Sequence, residues 1–183
     1  MTLPPALFSN QFFWFVTRAS GVLALALLLL SAVWGVAIRA GHWDRWMARW
    51  DVQDLHRYVS WLACGFLLIH VTALLGDRFV GFGLADLLVP FHSSYAEPYT
   101  GLGVVALYLL VAVMVTSYLT RALRYRQWLA WHRLSYVVVL LVLLHALGTG
   151  TDRFKWWMLA VCAIGAASLA AGWRARRSWA KKT

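Results

Sequence analysis

The chain has 183 residues, 62% of them hydrophobic and only 13% charged, where a soluble domain carries ~25% charged residues. That excludes an ordinary water-soluble domain. Lys and Arg number 17 against 7 Asp and Glu, a formal charge of +10, which could suit nucleic acid. The charges fall between long apolar runs, however, so inner-leaflet orientation and anionic lipid explain them better.

Residues 1–11 read as a short tail with Pro4 and Pro5. The first apolar run, 12–38, is too long for a signal-peptide core and long enough to cross the ~30 Å hydrocarbon layer. Arg18 lies just inside it, either snorkelling to the interface or serving an anionic partner. In 39–54, Trp43, Trp46, Met47 and Trp50 recur at helical spacing with charges between them, which predicts an amphipathic helix lying in the interface. His42 at its start reads as solvated.

A second span is expected over 55–76. The loop 77–99 holds an apolar stretch, 84–91, too short to cross, and reads as re-entrant or surface-lying. His92, Tyr95 and Glu97 in it could shape an acceptor site or simply cap the loop. Further spans follow at 101–119, 128–147 and 156–173, the last leading to a basic tail, 174–183. Cys64 and Cys162 are isolated in apolar spans and read as small core residues.

Charge asymmetry predicts orientation. With Arg57 and Arg133 counted at their helix starts, 13 Lys/Arg fall on one side and 4 on the other. Five spans with the N-terminus outside and the C-terminus inside satisfy the positive-inside rule at every loop. There is also an internal repeat. His56-Arg57 recurs as His132-Arg133, and Asp77-Arg78-Phe79 as Asp152-Arg153-Phe154, at offsets of 76 and 75 residues. The predicted fold is therefore an all-α membrane bundle of five helices, 12–173, in which spans one and two repeat as spans three and four.

Four histidines stand out because polar groups at membrane depth are costly. His56 and His70 are 14 residues apart on span two, and His132 and His145 are 13 apart on span four. Such helices rise ~21 Å and ~19.5 Å over those gaps. Parallel spans then match His56 with His132 near the inner face and His70 with His145 near the outer face. Two facing imidazoles can fill both axial positions of a haem iron, leaving none for oxygen, so electron transfer is the natural work. Zinc ligands converge on one point, whereas these are spread through the membrane. At ~100° per residue a gap of 14 returns within ~40° of the same face, but a gap of 13 falls ~140° short, so span four is expected to be tilted or locally distorted. Arg57 and Arg133 could pair with propionates, as could Arg18, or serve as inside anchors. Gly65, between His56 and His70, could let a porphyrin approach or serve helix packing.

At these residues the chain resembles the ferric reductase-like transmembrane domain family, which includes the membrane part of NADPH oxidases, iron reductases and the haem subunit of the bacterial methionine sulfoxide reductase system. The stretches that carry the resemblance are Thr17-Arg18-Ala19-Ser20-Gly21, Asp54-Leu55-His56-Arg57 with His70, Leu88-Val89-Pro90-Phe91, and Trp131-His132-Arg133 with His145. It implies two b-type haems and electron flow from an inner donor to an outer acceptor, here in a bacterial inner membrane. No Gly-rich dinucleotide fingerprint is present, so the expected donor is a separate flavoprotein or quinol. The acceptor could be ferric iron, a periplasmic flavoprotein or reductase, or quinone. The competing readings are a single haem with the other histidine pair empty or lining a quinone site, and a non-redox transporter or scaffold. Against the last, all seven acids fall in loops or near span ends.

Overall fold

Hydrocarbon offers no water to a backbone N–H or C=O, so an apolar run that crosses it must satisfy its own backbone as a helix. The computed structural model describes residues 10–39, 48–78 and 80–180, and among these every regular element is helical. The helices are α1 (Asn10–Arg39), α2 (Arg49–Gly76), α3 (Leu84–Leu88), α4 (Glu97–Tyr118), α5 (Tyr125–His132), α6 (Ser135–Thr149) and α7 (Trp156–Ala180). Four segments are long and apolar enough to cross a membrane: Gln11–Arg39, Arg49–Gly76, Glu97–Tyr118 and Tyr125–Thr149. The apolar stretch described within α7, Trp156–Ser168, is shorter.

Half of the interfacial helix expected over 39–54, residues 40–47 with His42, lies outside the described residues. Its last residues, from Arg49 on, belong to α2. α4 starts cleanly because Pro98 sits in its first turn, where the missing N–H costs nothing. Hydroxyls within the spans bond back one turn, as Thr72 does to the Leu68 carbonyl and Thr116 to that of Ala112, both through Oγ1. Large aromatics stay exposed near the helix ends, with Trp50, Tyr58, Tyr118 and Tyr125 toward one end and Phe12, Phe15, Phe154 and Trp156 toward the other. That is where amphipathic rings sit at a membrane–water boundary.

The helices pack as two hairpins, α1 on α2 and α4 on α5 and α6. α7 closes the bundle against α1 and α6. The apolar core lies at that junction, where Leu25 and Leu29 of α1 meet Val139 and Leu143 of α6 and Met158 of α7. Gly165 permits the approach, since a Cβ there would fall 2.9 Å from Leu143 and 3.0 Å from Leu29. By contrast, α2 makes no extended packing against α4, α5 or α6.

The distortion expected between His132 and His145 is a break at Arg133 and Leu134. The Leu134 N–H bonds to the Trp131 carbonyl at 2.9 Å, and that of Tyr136 to the Arg133 carbonyl at 3.2 Å. These are i→i+3 bonds of a 3₁₀ turn, which rises ~2.0 Å and rotates ~120° per residue, against ~1.5 Å and ~100° in an α-helix. The turn lengthens and overwinds the shorter interval, bringing it toward the span of the 14-residue one on α2.

Candidate functional site

The two hairpins hold their histidines face to face across a gap, those of α2 against His132 of α5 and His145 of α6. The His56 and His132 ring centroids are 6.2 Å apart with planes at 72°, and those of His70 and His145 are 6.5 Å apart at 83°. These are the pairings expected from parallel copies. Among the described residues no three His, Cys, Asp or Glu side chains converge on a point, so the imidazoles are presented in twos.

Each ring rests on a small residue of the neighbouring helix. A Cβ on Gly21 would fall 2.8 Å from His70 Nδ1, and one on Gly103 2.6 Å from His145 Nδ1. A Cβ on Gly35 would lie 3.4 Å from His56 Cε1. One turn before Gly21 and Gly103, the carbonyls of Thr17 and Tyr99 meet His70 Nδ1 at 2.8 Å and His145 Nδ1 at 2.9 Å. A carbonyl only accepts, so each Nδ1 carries the proton and donates it, which leaves Nε2 free as a ligand.

The other pair is tied by hydroxyls. Ser31 Oγ lies 3.3 Å from His56 Nδ1 and 2.7 Å from Ser60 Oγ, while Ser60 donates to the His56 carbonyl at 2.8 Å. Because a hydroxyl has one proton, Ser31 donates to Ser60 and accepts from His56 Nδ1. On the second hairpin Ser117 Oγ lies 3.4 Å from His132 Nδ1. Both arrangements again turn Nε2 toward the gap.

Sequence reasoning missed this supporting set, although a signal was present. Gly21 and Gly35 on α1, and Gly103 and Ser117 on α4, repeat the 14-residue spacing of His56 and His70. Gly65, singled out instead, meets nothing within 4 Å of an added Cβ. Ala63, seven residues from each histidine, is buried on their face of α2, as are Val52 and Val59.

The three expected arginines part ways. Arg18 is ion-paired with Asp152 and lies over the Trp14 ring at 4.7 Å, tying α1 to the turn before α7. Arg57 makes an exposed pair with Asp54 at 3.1 Å. Arg133 buries its Nε without a hydrogen-bond partner among the described residues. The same holds for Arg39 Nε and Trp128 Nε1, neither of which the sequence reading had selected. Trp128 stacks on His132, centroids 5.1 Å apart and planes at 20°.

A cavity of about 340 Å³ opens at the His70/His145 level. Its lining is mostly apolar, with Arg18, Asp77 and Asp152 at the polar rim. Phe82, Leu87 and Tyr95 line it from the long loop, so the segment expected to be re-entrant or surface-lying contributes to its wall. The loop's own polar groups are engaged locally. His92 Nδ1 lies 2.9 Å from Asp86 and is exposed, while Asp86 also accepts from the Gly83 N–H at 2.8 Å. The Gly83 N–H first, and His92 second, hold the Asp86 carboxyl below its ordinary range. Glu97 stands exposed in the first turn of α4.

The family described as "Ferric reductase like transmembrane component" matches residues 20–143, which include three of the four histidines and both hairpins up to α6. The chain belongs to this family. No curated protein and no solved structure matches it. Membership, with the four long apolar helices, makes the chain an integral membrane protein of ferric reductase-like type. His145 lies just past the matched stretch, yet its ring sits on Gly103, inside it.

Proposed function

We propose that the chain carries electrons across the membrane through two b-type haems, one held by His56 and His132 and the other by His70 and His145. The observation that carries this reading is the spacing of the two imidazole pairs. Two imidazoles bound to one metal at ~2.0 Å put their ring centres roughly 6.3 Å apart. The measured 6.2 and 6.5 Å match that distance, across a gap the backbone leaves open. The donor set fits as well: four neutral imidazoles, each with Nδ1 held and Nε2 directed into the gap.

Haem, when bound, supplies a one-electron carrier at each level. The chain's own residues do the rest. The four histidines would hold the two irons in pairs, leaving no ligand position for oxygen. Thr17, Tyr99 and Ser31 fix the ring tautomers of His70, His145 and His56, which raises ligand basicity, and Ser117 helps orient the His132 ring. Gly21, Gly35 and Gly103 make room for the rings. The two levels are ~21 Å apart along α2, so they divide the crossing between them.

The orientation belongs to the same proposal. α7 serves as a fifth span, the N-terminus lies outside, and the His56/His132 level faces the cytoplasm of a bacterial inner membrane. A separate flavoprotein or quinol supplies electrons, and the acceptor is ferric iron, a periplasmic flavoprotein or reductase, or quinone. Arg18, held by Asp152 at the cavity rim, would face the outer haem.

The test is a dithionite-reduced visible spectrum of the purified chain with a haem-to-protein ratio. Sharp low-spin b-type bands at two haems per chain are expected. One haem per chain would reduce the site to a single level, and none would overturn the reading.

A further inference from the structure

We propose that Arg39, Arg133 and Trp128 form a carboxylate pocket that takes the propionates of the haem at His56 and His132, an assignment that rests on the haem reading above. Three buried nitrogens at this end of the bundle, Arg39 Nε, Arg133 Nε and Trp128 Nε1, have no hydrogen-bond partner among the described residues. Arginine and tryptophan side chains only donate. What the cluster lacks is therefore an acceptor, and two guanidinium groups make that acceptor an anion. Leaving buried donors unmet is costly, so donors left open beside one imidazole pair call for something that answers them.

Their placement names the site. Trp128 stacks on the His132 ring, and Arg133 follows His132 in the chain. Arg39 lies one helical turn beyond Gly35, the residue against which the His56 ring rests. All three thus flank one imidazole pair. The nearby described carboxylates do not serve them, for Asp54 is engaged with Arg57 in an exposed pair, and Asp51 is exposed. At the opposite level the arginine at hand, Arg18, already has its carboxylate in Asp152. A lipid phosphate offers similar charge, but a headgroup sits at the surface, whereas these nitrogens are covered and one belongs to the ring stacked on the ligand histidine. The carboxylates that reach this depth are those of the haem edge.

The experiment compares haem b with its dimethyl ester, which lacks free carboxylates, in titrations of haem-depleted full-length chain in detergent. Two haems are expected to bind tightly. The ester should bind one site as haem does and the other about ten- to a hundredfold more weakly, the size of a lost charge-assisted pair. R39Q and R133Q should weaken haem at that site and leave the ester unaffected, while R133K should recover part of the loss. Equal binding of haem and ester at both sites would overturn the pocket while leaving the haem reading intact. So would R39Q and R133Q variants that lose only co-purifying phosphatidylglycerol, which would assign the pocket to lipid. Binding of neither haem nor ester would overturn both.

Discussion

The two histidine levels are built alike in outline and differently in chemistry. At His70 and His145 the rings donate to backbone carbonyls at 2.8 and 2.9 Å, pressed against glycines that admit no Cβ. Asp77 and Asp152 line the adjacent cavity, and its arginine is already paired. At His56 and His132 the rings meet serine hydroxyls at 3.3 and 3.4 Å, and two arginines and a tryptophan hold donors unanswered among the described residues. The two hairpins present their imidazole pairs alike, while the polar groups around each pair differ. Carboxylates lie near one level and arginines near the other.

That comparison breaks first at the glycines. G21A or G103A should cost the His70/His145 level its haem, because a Cβ would stand 2.8 or 2.6 Å from the ring nitrogen and displace it from its carbonyl. Loss of such a support weakens metal binding ~10–100-fold, so the haem-to-chain ratio should fall from two to one. G35A meets its ring only at 3.4 Å and should retain both haems. An unaltered ratio in G103A would contradict the asymmetry.

Next in size is the redox difference. Cations beside an iron favour its ferrous form, while carboxylates and basic ligands favour the ferric form. The His56/His132 couple should therefore be the higher of the two in a potentiometric titration. R133Q should lower it by on the order of 60 mV, a tenfold change for one electron, without moving the other couple. A smaller effect is expected of S31A, which removes one hydroxyl acceptor worth about 0.5–1.5 kcal/mol. It should weaken haem at that level by roughly tenfold or less and leave the His70/His145 spectrum untouched.

The smallest effect concerns the cavity wall. The Asp86 carboxyl is held below its ordinary range by Gly83 and His92. A depressed carboxyl contributes above its unfolded pKa of ~3.9 and loses that contribution as pH falls through the folded value. Proteolysis of the loop around α3 should be constant from neutral pH down to about 4 and rise only below that. A rise already at pH 6 would point away from Asp86.

The histidine pairing was legible from the chain because it follows from spacing and a repeat, two properties of linear order. The 3₁₀ turn at Arg133 and Leu134 was legible only as a mismatch of 13 against 14 residues, since nothing local in that stretch forbids a regular helix. Arg39 and Arg57 exchanged importance because both look like basic residues at a span's end. Which of the two turns inward depends on how α1 and α2 rotate against each other, and one sequence does not encode that rotation in any local pattern. The glycine and serine seats were written at the histidines' own spacing, but small residues are so frequent in membrane helices that the pattern does not announce itself.

If both levels carry electrons, the chain should pass them across a bilayer. The direct measurement uses vesicles with dithionite inside, the haem-loaded chain in the membrane, and ferricyanide, which does not cross, outside. Ferricyanide reduction should run well above that of empty vesicles and be abolished by H70A or H145A while the His56/His132 haem is still reduced. Wild-type chain carrying two haems but passing no electrons, or undiminished transfer in H70A, would contradict a path through both levels.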